Sequence, residues 1–407
     1  MQVEGPFHLT YCSNIHAGES WAEVRANLGT YLPAVRERVG AEGPFGIGLR
    51  LSARAAEELE VPEALAEFQE FLAREGFYVF TINGFPYGVF HRARVKEEVY
   101  LPDWKDEERL AYSNRLAELL AALLPDWPGL EGSVSTVPGA FKGEVGDPAD
   151  VERMAVLLLR HVEALHRLRE RTGKTITLAL EPEPCCFIET CAEAIDFFRE
   201  HLFAGPALEG LAQALELDVA DARKVVRRHL GVCYDACHMA VEFEDMGASL
   251  RALDAAEIKI CKVQISSALK LRFQRGDGRA RSLLAPFAES TYLHQVVERS
   301  PAGLTRFTDL PEGFAAEAQA ATEKRGEPVE WRVHFHVPVF LEEMQHFETT
   351  QTHLAELLHL LRDDPARCPY LEVETYTWDV LPAEYRDMEL PAAISRELDW
   401  VREQLRR

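Results

Sequence analysis

The chain has 407 residues, 47% apolar and 27% charged, an ordinary globular composition long enough to bury a large core. Its 67 acidic and 44 basic side chains leave a formal net charge of −23, a field that repels phosphate backbones and speaks against a nucleic-acid partner. No stretch approaches the ~20 apolar residues that span a bilayer, and the opening MQVEGPFHLTYCSN has neither the basic nor the apolar region of a secretory signal.

Short apolar runs alternate with longer amphipathic stretches, which is the pattern of βα units and a parallel sheet. Eight strands are expected, at 7–12, 45–51, 77–82, 132–137, 175–180, 231–235, 258–266 and 370–376. Helical spacing of apolar residues marks 52–75, 106–124, 151–172, 190–203, 245–256 and 348–362. An open doubly wound sheet would gather its polar residues at one switch point, and no GxGxxG follows the first strand. Here polar residues recur at strand C-terminal ends along the whole chain, so an α/β fold of the (β/α)₈ barrel type is expected, as one domain over 1–407. Residues 267–330 break the rhythm with turn-rich pieces and no clean strand. They are expected to be an insertion in the seventh βα loop, covering the site.

Four polar residues interrupt apolar runs where a barrel interior should be filled. They are Glu181 in TITLALEPEP, Asp235 in GVCYDACHMA, Gln264 in ICKVQISS and Glu374 in YLEVETYTW. Carboxylates converging in a barrel mouth repel one another and lose solvation, and a divalent cation removes both costs. An oxygen-rich set of this kind suits Mn²⁺, Mg²⁺, Co²⁺ or Zn²⁺ with positions left open for a ligand. A strand-end salt bridge is the simpler reading of any one of these acids. Four at successive strand ends favour the metal.

His334 and His336 in WRVHFHVPVF lie two apart, so in extended backbone both point to one face. With His238 they could hold a second metal or line a substrate wall, and a pair of hydrogen-bonded core histidines is the bland alternative. Weaker substrate-binding candidates are Asn83, Phe85 and Tyr87 in TINGFPYG, Lys142 in STVPGAFKG, and Asn14, His16 and Trp21 in YCSNIHAGESW. His294 reads as structural. The eight cysteines form no CxxC pair, which points to reduced thiols in a cytoplasm.

The pattern Glu181, Asp235-x-x-His238, Gln264, Glu374 resembles the xylose isomerase-like superfamily of TIM barrels, which includes sugar isomerases, sugar epimerases and zinc-type abasic-site endonucleases. The resemblance implies that these four residues hold the catalytic metal, with Gln264 where His is common, and that His238 faces the substrate or a further metal. The endonucleases place a further metal pair where His334 and His336 stand. Their early histidines are replaced here by Asn83 and by Val137-Pro138-Gly139, which with the acidic charge argues against DNA repair.

More closely, HLTYCSNIHAGESW, LALEPEPCC, CYDACHMAVEFE, KVQISSAL, YLHQVVE, HFHVPVF and LEVETYTWDVLP resemble the EboE family of metabolite traffic proteins. That resemblance implies a bacterial secondary-metabolite pathway and a functional link to a prenyltransferase-type membrane protein. The expected function is metal-assisted proton transfer on a small hydroxy-carbonyl metabolite, with Glu181, Glu374 and His238 catalytic. The alternatives are a non-catalytic metabolite-binding or trafficking protein and a metal-dependent hydrolase.

Overall fold

The structure is a computed structural model, and it describes all residues except 92, 93, 324, 325 and 387. Seven strands alternate with helices: β1 (His8–Tyr11), β2 (Phe45–Arg50), β3 (Phe77–Asn83), β4 (Gly132–Thr136), β5 (Ile176–Leu180), β6 (Leu230–Asp235) and β7 (Lys259–Ile265). An insertion follows with β8 (Leu269–Gln274), β9 (Val296–Ser300), β10 (Gly303–Phe307), β11 (Pro328–Val333), β12 (Glu343–Met344) and β13 (Phe347–Thr349). The last strand, β14 (Tyr370–Val373), returns between β7 and β1.

The eight strands β1–β7 and β14 pair in parallel, in the order β1-β14-β7-β6-β5-β4-β3-β2. Closure between β1 and β2 rests on a parallel bridge from Cys12 to Gly48. The Thr10 hydroxyl adds to it, donating to Gly46 O at 2.8 Å and accepting from Gly48 N at 3.0 Å. This is a (β/α)₈ barrel. Its strands are buried on both faces and therefore read as continuous apolar runs.

The outer helices start and stop where the sequence says they should. Ser20 with Glu23 and Thr190 with Glu193 form capping boxes, and Gly40, Gly76 and Gly173 end their helices in the left-handed conformation. The C-terminal helix Leu390–Arg406 lies against Trp21–Val39 and completes the ring. Among the described residues no helix is long and apolar enough to cross a membrane, and all eight cysteines are free.

The expected strand-free insertion is not what folds, and residues 324 and 325 of its 267–330 span lie outside the described residues. An antiparallel six-stranded sheet runs from Leu269 to Thr349 in the order β10-β9-β11-β8-β13-β12. Its strands were hidden because charged and polar residues interrupt them. In β8, Leu269, Leu271 and Phe273 are buried while Arg272 and Gln274 are exposed, so no continuous apolar run betrays the strand.

Candidate metal centre and its cavity

Side chains alternate along a strand, so alternate residues of β7 and β14 enter the barrel. Lys262 and Glu372 meet there as an ion pair, both side chains 1% exposed, and Lys262 Nζ also reaches Ser135 Oγ at 3.3 Å. A Cβ on Gly48 would overlap the Glu372 carboxyl, so glycine at that place admits the pair. Neither Lys262 nor Glu372 was singled out from the sequence, although a lysine inside the apolar run IKICKVQIS is a readable signal.

Toward the mouth stand the carboxylates. In register, Gln264 of β7 lies beside Glu372 of β14 and beside Asp235 of β6. Asp235 is the last residue of its strand and caps the helix Ala236–Val241: its Oδ1 accepts from His238 N at 2.9 Å and from Ser266 Oγ at 2.8 Å. Glu181 follows β5, and Glu374 follows β14, where its N–H donates to Ile265 O at 3.1 Å. Glu374 Oε1 accepts from Asn14 Nδ2 at 2.9 Å and from Asn83 Nδ2 at 2.8 Å. Glu181, Asp235 and Glu374 each offer an oxygen within 4.8 Å of the others, and all three are buried.

Several buried polar atoms here have no partner: Glu181 Oε2, Asp235 Oδ2, Gln264 Nε2 and Asn14 Oδ1. Gln264 Oε1 accepts from the Cys233 thiol at 3.2 Å. The two ends of an amide are assigned from contacts, and the opposite orientation would turn that oxygen toward the carboxylates. Burial, then the neighbouring acids, pushes Glu181 well above the usual carboxyl range. Burial and then Asp235 do the same to Glu374. The ammonium inside the barrel, Lys262, is already committed to Glu372. Three convergent buried carboxyls, two of them with an unpartnered oxygen and none with a free counter-charge among the described residues, fit a divalent cation.

The three histidines come together beside this set. His238 Nδ1 faces Pro182 O at 3.0 Å, and His336 Nδ1 faces Glu374 O at 2.8 Å. His334 Nδ1 faces Gln295 Oε1 at 2.7 Å, and Gln295 Nε2 donates to Tyr100 Oη, Glu183 Oε1 and Pro184 O, which fixes the orientation of its amide. Each Nδ1 therefore carries the proton, and each Nε2 keeps a lone pair. His334 Nε2 lies 3.1 Å from His238 Nε2 and 3.2 Å from His336 Nε2. Those separations approach the roughly 3.3 Å that two Zn–N bonds of about 2.0–2.1 Å span in a tetrahedral site. Burial, then the adjacent imidazoles, holds His334 far below its usual value, and burial lowers His336 to about 4, so both are neutral ligands at pH 7.

A cavity of about 520 Å³, counted out to its open mouth, stands over these groups. Asn83 and Phe85 border it, as do Glu181, Glu374, His238 and His334. Four expected substrate contacts do not, among them Trp21, which meets Phe68 edge-on at 4.8 Å. His16 is stacked on Tyr31 at 4.1 Å and bonded to Tyr11 Oη at 3.1 Å. Tyr87 donates to Glu108 on the outer side, and Lys142 is an exposed ion-pair partner of Glu189 and Glu193. His16, Tyr87 and Lys142 sit at strand-end loops as expected, but each loop turns its side chain away. His294 is structural, bonded to Glu289 at 3.1 Å.

Glu183 was missed by the sequence reading. It follows Glu181 by two residues, is buried, and accepts from Tyr100 Oη at 2.7 Å. It offers an oxygen within 4.8 Å of nitrogens of His238 and His334. The repeat Glu-Pro-Glu-Pro was the available signal, whereas nothing in the sequence pointed to Tyr100 or Gln295.

No protein-family model matches the chain, and no curated protein sequence does. Among solved structures it is similar to a xylose isomerase-like TIM barrel protein from Mycobacterium smegmatis in complex with magnesium, at 12% identity and TM-score 0.48, covering 100% of this chain and 98% of that one. It is also similar to the probable 3-DHS dehydratase AsbF of petrobactin synthesis from Bacillus anthracis, at 12% identity and TM-score 0.45, covering 96% and 97%. A third is the IOLI protein with a bound zinc atom, at 14% identity and TM-score 0.45, covering 98% and 97%. These likenesses concern the fold, and nothing about the site is drawn from them.

Proposed function

We propose that this chain is a divalent-metal-dependent enzyme of the sugar isomerase and epimerase kind, moving a proton between adjacent carbons of a small hydroxy-carbonyl metabolite. The observation that carries this reading is the buried trio Glu181, Asp235 and Glu374, whose oxygens lie within 4.8 Å of one another, with Glu181 Oε2 and Asp235 Oδ2 left without partners. Each such atom costs about 1–3 kcal/mol if left unmet, so their convergence calls for a ligand. Glu181, Asp235, Gln264 and Glu374 would hold the ion, which is Mn²⁺, Zn²⁺, Co²⁺ or Mg²⁺. When bound, it would supply Lewis acidity at the substrate oxygens. Glu181 and Glu374 would take and return the proton as the substrate passes through its enediolate. His238 would hold a substrate oxygen, and the Asn14 and Asn83 amides keep the Glu374 carboxylate aimed at the cavity.

Membership of the EboE family and its secondary-metabolite pathway belong to the same proposal, supported by the motifs quoted above. So does a cytoplasmic place, supported by eight free thiols. A metal-dependent hydrolase is the second reading, favoured by the three lone pairs of His238, His334 and His336, which suit a second ion. A non-catalytic carrier would use the same cavity without turnover.

The test is metal content by elemental analysis together with turnover of hydroxy-carbonyl substrates by the wild type, Glu181→Gln and Glu374→Gln. Bound metal with activity lost in both variants supports the isomerase reading. Retained activity in both variants overturns it. Two ions per chain favour hydrolysis, and ligand capture without product favours the carrier.

A further inference from the structure

The proposed reaction specifies the reacting head of a substrate and leaves its body open, but the cavity wall bears on that body. Phe85, Phe90, Val99, Tyr100, Leu293 and Tyr376 surround the space above the acids. Phe90, Tyr292 and Tyr376 form a three-ring group with centroids 5.1, 5.3 and 5.1 Å apart. Phe85 meets Tyr100 edge-on at 5.8 Å. These rings come from the segment after β3, from the insertion and from the segment after β14, so the apolar wall is built by three separate parts of the chain.

The hydroxyls of this wall are mostly committed. Tyr100 Oη is engaged by Glu183 and Gln295, and Tyr292 Oη by His91 Nδ1 at 2.9 Å. Besides the Tyr376 hydroxyl, the polar groups able to meet a polyhydroxylated body are the acids, amides and imidazoles of the floor. Cationic groups are scarcer still. Among the described residues, Lys96 is the one lysine or arginine that borders the cavity. Its Nζ is held 2.7 Å from Asp309 Oδ2 and 3.3 Å from Glu289 O. Glu181, Glu183 and Glu374 border the same space. A phosphate would bring two further negative charges into this acid-rich cavity and meet no free cation among the described residues that border it, whereas phosphate sites are built on arginine, lysine or open backbone N–H groups.

We infer that the site takes an unphosphorylated ligand with an adjacent hydroxy-carbonyl head on the carboxylate floor and a flat apolar body against the aromatic wall. A pocket with apolar walls and a few convergent polar groups suits such a molecule. The head assignment rests on the function proposed above, whereas the body preference rests on the wall.

Three probes separate the two: 2-hydroxyacetophenone, D-fructose and dihydroxyacetone phosphate, titrated by calorimetry into the full chain loaded with Mn²⁺ and into the same chain after chelation. The expected result is that 2-hydroxyacetophenone binds at least about tenfold more tightly than either of the others, since burial of one ring is worth more than a tenfold change. Phe85→Leu should narrow that ratio and leave D-fructose unchanged. Equal affinities, preference for dihydroxyacetone phosphate or D-fructose, or no binding of 2-hydroxyacetophenone in either state overturns the inference. Preference for the ring with an affinity for 2-hydroxyacetophenone that is itself unchanged after chelation keeps this inference and removes the metal from the proposed function.

Discussion

Buried carboxylates occur in both sheets of this protein, and the two sheets treat them differently. In the antiparallel insertion every buried acid is met. Glu298 is paired with Arg275 and accepts from Trp331 Nε1 at 2.8 Å, Glu330 is flanked by Arg272, Arg299 and Arg332, and Glu317 accepts from Gly276 N at 2.8 Å. Burial alone would raise Glu330, but the surrounding guanidiniums outweigh it and hold the carboxyl below its usual value. In the barrel mouth Glu181 and Glu374, equally buried, are pushed up instead. The same residue type is held low where the chain supplies guanidiniums and pushed up where acids converge without them, which is what marks the barrel mouth as the candidate site.

That contrast can be broken by mutation. The largest effect expected is on metal content: Asp235→Ala should lose the metal entirely by elemental analysis while keeping its far-ultraviolet circular dichroism, since Asp235 is one of the unmet acids. Loss of fold with metal retained on the remainder would erase the distinction between the sheets. The converse change is Glu298→Ala. It leaves the Trp331 N–H without its acceptor and Arg275 with Glu327 alone, and should cost about 1–3 kcal/mol in chemical denaturation with metal content unchanged.

A smaller effect sharpens the comparison at a third kind of place. Glu397 on the C-terminal helix is buried without any cation, accepting from Thr375 Oγ1 at 2.7 Å and Val339 N at 3.2 Å. Burial raises it from 4.5 to about 7 despite those donors. The folded chain therefore holds a proton that the unfolded chain releases, and its stability falls as pH rises from 4.5 to 7. Glu397→Gln removes that dependence. Its stability relative to the wild type should grow across that window by on the order of 2 kcal/mol in urea titrations at several pH values. A flat difference would show that Glu397 is ionised in the fold.

The insertion teaches a second lesson about reading sequence. Strands buried on both faces, such as β3 with FYVFTIN, announce themselves as apolar runs, and all eight barrel strands were legible within a few residues. Strands open to solvent, such as β10 with GLTRF, carry too few apolar residues to stand out. The polar interruptions Glu181, Asp235, Gln264 and Glu374 were legible for the same reason as the strands, because a charge in an apolar run is conspicuous.

By itself, then, the sequence determined the parallel barrel, the strand ends that carry acids and the pairing of His334 with His336 on one face, because each is a local pattern of period two or an abrupt break in an apolar run. Only the tertiary structure decided which loops turn inward. It kept Asn14, Asn83 and Phe85 at the cavity and sent His16, Tyr87 and Lys142 outward, and it added Glu183, Tyr100 and Gln295. It also decided which buried acids find a cation and which do not, since a counter-ion dozens of residues away, such as Lys262 for Glu372, leaves no mark on the neighbouring sequence.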